Sequence, residues 1–117
     1  MEQRYIIVNL DKKEFVDPCS LDQGAQFWEI AVNRVSAVLP FLLRQCTGYA
    51  ASMDIGDNHN HVGRWVGDRV VVVGEYDESG IYNLARMSPV WKDIGCDVFL
   101  ELNAFIGVED LQIRLIR

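Results

Sequence analysis

A chain of 117 residues, half of them hydrophobic, is long enough to bury a core as one domain without disulfide or metal staples. Its 17 acidic against 11 basic side chains give a formal charge of −6, which disfavours DNA or RNA as a ligand, because phosphate binding needs a cationic footprint. The most apolar run, Val35 to Leu43, contains Ser36 and Pro40 and reaches only about half of the roughly 20 residues a bilayer crossing requires, so no membrane span is expected.

In chain order, Arg4 to Leu10 (RYIIVNL) predicts a first strand buried through Tyr5 and Ile7. Asp11-Lys12-Lys13 turns the chain, and Glu14-Phe15-Val16 is short enough to be the return arm of a hairpin that ends at Asp17-Pro18. Ser20-Leu21-Asp22-Gln23 has the form of a capping box and predicts a following helix. Trp28, Ala31, Val35, Val38 and Leu42 then recur at helical spacing, so one stripe is expected to lie on the sheet. Pro40 removes a hydrogen bond to Ser36 and predicts a kink or break near Leu39.

Cys46 to Val62 has no sustained period and predicts a long loop, within which Gly48 to Ser52 is a candidate short strand. The following stretch, GRWVGDRVVVVGEYD from Gly63 to Asp77, holds the surest strand. Val70 to Val73 are β-branched and apolar on both faces, which predicts a strand covered on both sides at the centre of the sheet. Ile81 to Met87 suits a helical turn, and Ser88-Pro89 suits the start of another helix. Asp97 to Ile106 fits either a helix or a strand, with the helix preferred, and the alternating LQIRLI from Leu111 to Ile116 predicts a last strand.

Three polar constellations are candidates for chemistry. Arg64, Trp65, Asp68 and Arg69, leading into the valine strand, suit a ligand or interaction site, with the two guanidinium groups gripping an anion beneath the indole. The heavier alternative makes Trp65 a core plug and pairs Arg69 with a nearby carboxylate. Asp54, Asp57, His59 and His61 are of the types that bind zinc and other divalent transition metals, but their loose spacing favours a solvated loop. Cys19, after Asp17-Pro18, is a candidate nucleophile at a helix start with His59 or His61 as base, against the commoner buried thiol; Cys46 and Cys96 are expected in the core. An odd cysteine count, no C-x-x-C pair and no secretory leader point to a reducing cytoplasm. No G-x-G-x-x-G or P-loop pattern is present, which disfavours standard nucleotide enzymes.

The segments Asn9-Leu10-Asp11-Lys12-Lys13-Glu14-Phe15 with Asp17-Pro18, and Gly63-Arg64-Trp65-Val66-Gly67-Asp68-Arg69 followed by the valines, resemble a group of small uncharacterised prokaryotic and phage-type proteins. The likeness covers about a quarter of the chain and implies a compact domain, with no activity to carry over. Where that group often has a histidine after Asp-Pro this chain has Cys19, and where it has a glycine-rich segment before Gly-x-Trp this chain has His59 and His61. Both departures weaken a metal or catalytic role at these positions.

The expected architecture for residues 1–117 is a single α+β domain. Its mixed or mostly antiparallel sheet is built from the Tyr5, Phe15, Val71 and Ile113 segments, with helices packed on one face. The leading functional expectation is a small acidic non-catalytic protein-interaction module, a regulator or inhibitor related to phage or mobile elements. It binds a protein partner and self-associates through exposed sheet edges, with no cofactor, nucleic acid or membrane. The alternatives are a metal-dependent enzyme or metal-binding protein using the 54–61 loop, and a small anionic-ligand binder using Arg64, Trp65 and Arg69.

Overall fold

The structure is a computed structural model that describes residues 3–18, 24–46 and 60–106. Its architecture is α+β. Tyr5–Asn9 forms β1 and Glu14–Val16 forms β2, paired as an antiparallel hairpin with Ile7 opposite Val16 and Asn9 opposite Glu14. Val70–Gly74 forms β3, antiparallel to β1 on its other side, and the short β4, Lys92–Asp93, runs parallel to β2. The sheet is thus mixed and mostly antiparallel, in the order β3-β1-β2-β4.

Period-two alternation divides the strand side chains between two cores. Ile7 and Val16 on one face join Ile30, Val35, Val38, Phe41, Leu42, Trp65, Ile94, Val98, Phe99 and Leu102, with Val70 and Val72 packed alongside. Ile6, Val8, Phe15 and Val73 on the other face join Tyr82 and Ala85, with Val71 alongside. The first face is covered by the helices α1 (Phe27–Val32), α2 (Val38–Leu43) and α4 (Gly95–Ile106), with a 3-10 turn at Arg34–Ala37. The helix layer expected on one face is complemented on the opposite face by α3, Ile81–Met87.

Several local expectations change. The valine strand packs against both cores as predicted, with Val70, Val71 and Val72 partly buried, yet it is an edge strand of the described sheet, as β4 is on the other side, while Ile6, Ile7 and Val8 of β1 are the fully buried centre. A continuous apolar run reports what lies above and below a strand and says nothing about its lateral neighbours. The helical stripe begins later than expected: Val35, Val38 and Leu42 are buried, but Trp28 is 62% exposed and Ala31 is also exposed, with Ile30 carrying the inward contact of α1. The helix does break, at Asn33 (ψ 165°) and not near Leu39. That shift puts Pro40 in the first turn of α2, where a missing N–H costs no helical hydrogen bond.

Ser88-Pro89 starts a turn in place of a helix. The Ser88 hydroxyl accepts the Val90 amide, and the chain then enters β4. The ambiguous 97–106 stretch is helical: Val98, Phe99 and Leu102 face inward, whereas Leu100, which a strand would bury beside Leu102, is 56% exposed. Cys46 and Cys96 are exposed thiols, not core residues, because Cys46 lies beyond the end of α2 and Cys96 points outward from the first turn of α4. The capping box at Ser20 to Gln23, Cys19, the candidate strand at Gly48 to Ser52 and the last strand at Leu111 to Ile116 lie outside the described residues.

Candidate functional site

The 60–69 segment is wound by successive turns in which Arg64 donates its amide to His61, Val66 to Gly63, and Asp68 to Trp65. It is anchored below by α2. The amides of Gly63 and Trp65 donate to the carbonyls of Phe41 and Leu42 at 2.9 and 3.0 Å, satisfying groups that a helix C-terminus leaves unpaired. Gly63 has φ +72° and a Cβ there would stand 2.7 Å from the Arg44 carbonyl oxygen, so both backbone conformation and space require glycine.

Above, the segment meets the β1–β2 hairpin through four residues. Arg64 donates to both oxygens of Glu14 through Nε at 3.0 Å and through Nη2 at 2.6 Å, in the forked geometry a guanidinium offers a carboxylate. Trp65 is fully buried, and its indole N–H donates to Glu14 Oε1 at 2.9 Å. Asp68 accepts from Asn9 Nδ2 at 2.8 Å and from the Lys12 ammonium. Arg69 donates its backbone amide to Asp11 Oδ2 at 2.7 Å and its side-chain Nε to Oδ1 at 2.9 Å, and Leu10 donates its amide to the Arg69 carbonyl.

The electrostatics follow this geometry. Burial alone would raise the Glu14 carboxyl, but hydrogen bonds from Arg64 and Trp65 and the nearby Arg64 and Lys12 charges hold it below its ordinary value. The Glu14 contact in turn raises the Arg64 guanidinium. Asp68 is lowered chiefly by the Lys12 and then the Asn9 hydrogen bond. Asp11 is lowered chiefly by the Arg69 backbone amide and then by its side chain.

All four residues expected to face a ligand are therefore brought together, but their polar groups meet the hairpin. Trp65 takes the core role, and Arg69 pairs with a carboxylate, the alternatives set beside the ligand reading above. The outward remainder is Arg69, whose side chain is 75% exposed, and part of Arg64. Sequence reasoning missed the partners Asn9, Asp11, Lys12 and Glu14. Their signal was the matching charge order of two segments: D-K-x-E in one, R-x-x-x-D-R in the other.

Of the expected metal ligands, Asp54, Asp57 and His59 lie outside the described residues. His61 is tied to α4: its amide donates to Glu101 Oε1 at 3.0 Å and its ring Nδ1 pairs with the other oxygen. Among the described residues no group of three or more His, Cys, Asp or Glu side chains is arranged to hold a metal. Nor is any helix among them long and apolar enough to cross a membrane. In comparisons with known proteins the chain matches no family model, and no curated protein or solved structure matches it significantly.

Proposed function

We propose that the chain is a small acidic non-catalytic protein-interaction module, a regulator or inhibitor acting in the cytoplasm. The observation that carries this reading is the outer face of α1. Trp28 and Val32 are 62% and 69% exposed and with Ala31 follow the spacing of a single helix face away from the buried Ile30, beside Phe27, which is 58% exposed but packs its ring edge to face against Tyr5. Large apolar side chains clustered on one exposed face suit a protein partner, since isolated exposed apolar residues are ordinary and contiguous ones are not. The engagement of Arg64, Trp65 and Asp68 by the hairpin also supports it, because those groups serve the fold and are not held open toward a substrate.

The test is affinity capture of partners by the untagged-core protein and by the Trp28→Ser/Val32→Ser variant, with thermal unfolding as the control for folding. The expected result is a partner retained by the wild type and lost by the variant at unchanged stability, since both substitutions are on exposed positions. Equal recovery by the two proteins, or stoichiometric zinc, manganese or iron in the purified wild type, contradicts the reading.

A further inference from the structure

The outer edge of β3 carries an inference independent of any heterologous partner. The Leu10 amide donates to the Arg69 carbonyl and the Glu75 amide to the Arg4 carbonyl, in the same register that sets Tyr5 opposite Gly74. In an antiparallel ladder bonded and non-bonded pairs alternate, so Val71 and Val73 turn their amides and carbonyls toward β1, and Val70, Val72 and Gly74 turn theirs away. Among the described residues no strand lies on that outer side. Among the described residues the Gly74 carbonyl accepts the Asp77 amide, and Gly74 itself is buried, while Val70 and Val72 are partly exposed. Between Val70 and Gly74 there is no proline, lysine or other charge of the kind that protects an exposed edge.

The residues flanking this edge are self-complementary. If a second copy is laid antiparallel with Val72 opposite its own counterpart, Val70 falls opposite Gly74 and Arg69 opposite Glu75. Arg69, Val71, Val73 and Glu75 alternate onto one face, so the opposed cation and carboxylate lie on the same side of the combined sheet. Two-fold symmetry makes this pair twice. Arg69 is 75% exposed and is bound through one edge of its guanidinium to Asp11, and Glu75 is half-buried with Oε1 accepting the Arg4 amide. Each retains capacity for a partner across the axis.

We infer that β3 pairs edge to edge with β3 of a second copy, about a two-fold axis at Val72, so that the two sheets form one continuous sheet flanked by reciprocal Arg69–Glu75 contacts. The central Val72 pair exchanges both its hydrogen bonds across the axis. The register is self-checking: a one-residue slip separates cation from carboxylate and sends the valines to opposite faces.

Sedimentation velocity of the full chain tests it. The wild type is expected to be a dimer. Arg69→Glu places like charges across the axis twice and is expected to weaken dimerisation by about tenfold or more, whereas Arg69→Glu/Glu75→Arg restores it toward wild type. Loss of the Asp11 contact, common to both variants, cannot produce that recovery. Val72→Pro removes an outward amide without cutting a β1 bond, and is expected to give a monomer with unchanged far-ultraviolet circular dichroism. If that variant fails to fold, the charge series decides. A wild type that stays monomeric at every concentration overturns the inference, as does a dimer indifferent to charge reversal or not recovered by the exchange.

Discussion

Asn9 is a fully buried amide that uses both ends of its side chain. Its Oδ1 accepts the backbone amides of Asp11 and Lys12 at 2.9 and 2.8 Å, shaping the hairpin turn, while Nδ2 donates to Asp68 across the contact with the 63–69 segment. One residue thus fixes a local turn and a long-range dock. Asn9→Ala leaves those amides without their acceptor and is expected to cost about 2–3 kcal/mol in chemical denaturation. Asn9→Asp keeps the turn acceptor but sets a second carboxylate against Asp68. Like charges so close raise the carboxyl pKa of the pair, so this penalty is present at neutral pH and relieved as pH falls through the raised value. Denaturation at neutral and mildly acidic pH should therefore show an Asn9→Asp deficit that shrinks with acid, beside an Asn9→Ala deficit that does not.

Among elements, the turn segment between α2 and β3 depends on two glycines of different kinds. Gly63 is at φ +72° with the Arg44 carbonyl where a Cβ would go, and Gly67 is at φ +81° facing open space. Gly67→Ala should cost about 1 kcal/mol for the left-handed backbone alone, whereas Gly63→Ala adds the backbone clash and should cost more, read as the difference between their denaturation midpoints. The elements most legible in the sequence were those whose signal is local. β1, β2, β3 and α3 emerged from short apolar runs between turn residues, and α4 from the spacing of Val98 and Leu102. Lateral strand order was not legible, because Val70 to Val73 would show the same composition at the centre or the edge. The site was half legible: Arg64, Trp65, Asp68 and Arg69 stood out by type, but Glu14, Asp11 and Asn9 lie 50 to 59 positions away, a distance no periodicity spans. The register of α1 misled because Trp28, the residue that most resembles a core anchor, is turned outward.

At the scale of the molecule, an acidic chain is held together at one rim by the pairing of its minority cations. Glu14, Asp11 and Asp68 all titrate below the ordinary carboxylate range in the folded state. A depressed carboxyl contributes stability that is present above the unfolded value, about 4, and is lost as pH falls through the folded value. Stability should accordingly decline below about pH 4 in pH-dependent denaturation, and the gap between wild type and Glu14→Gln should narrow over the same range. The hairpin and the 63–69 segment act as one structural unit across the chain, fastened at Glu14. A double-mutant cycle of Glu14→Gln and Arg64→Gln in chemical denaturation measures that fastening most directly. A coupling of about 1 kcal/mol or more is expected, since the two side chains share one hydrogen-bonded network, and single-variant losses that add to within about 0.5 kcal/mol would contradict it.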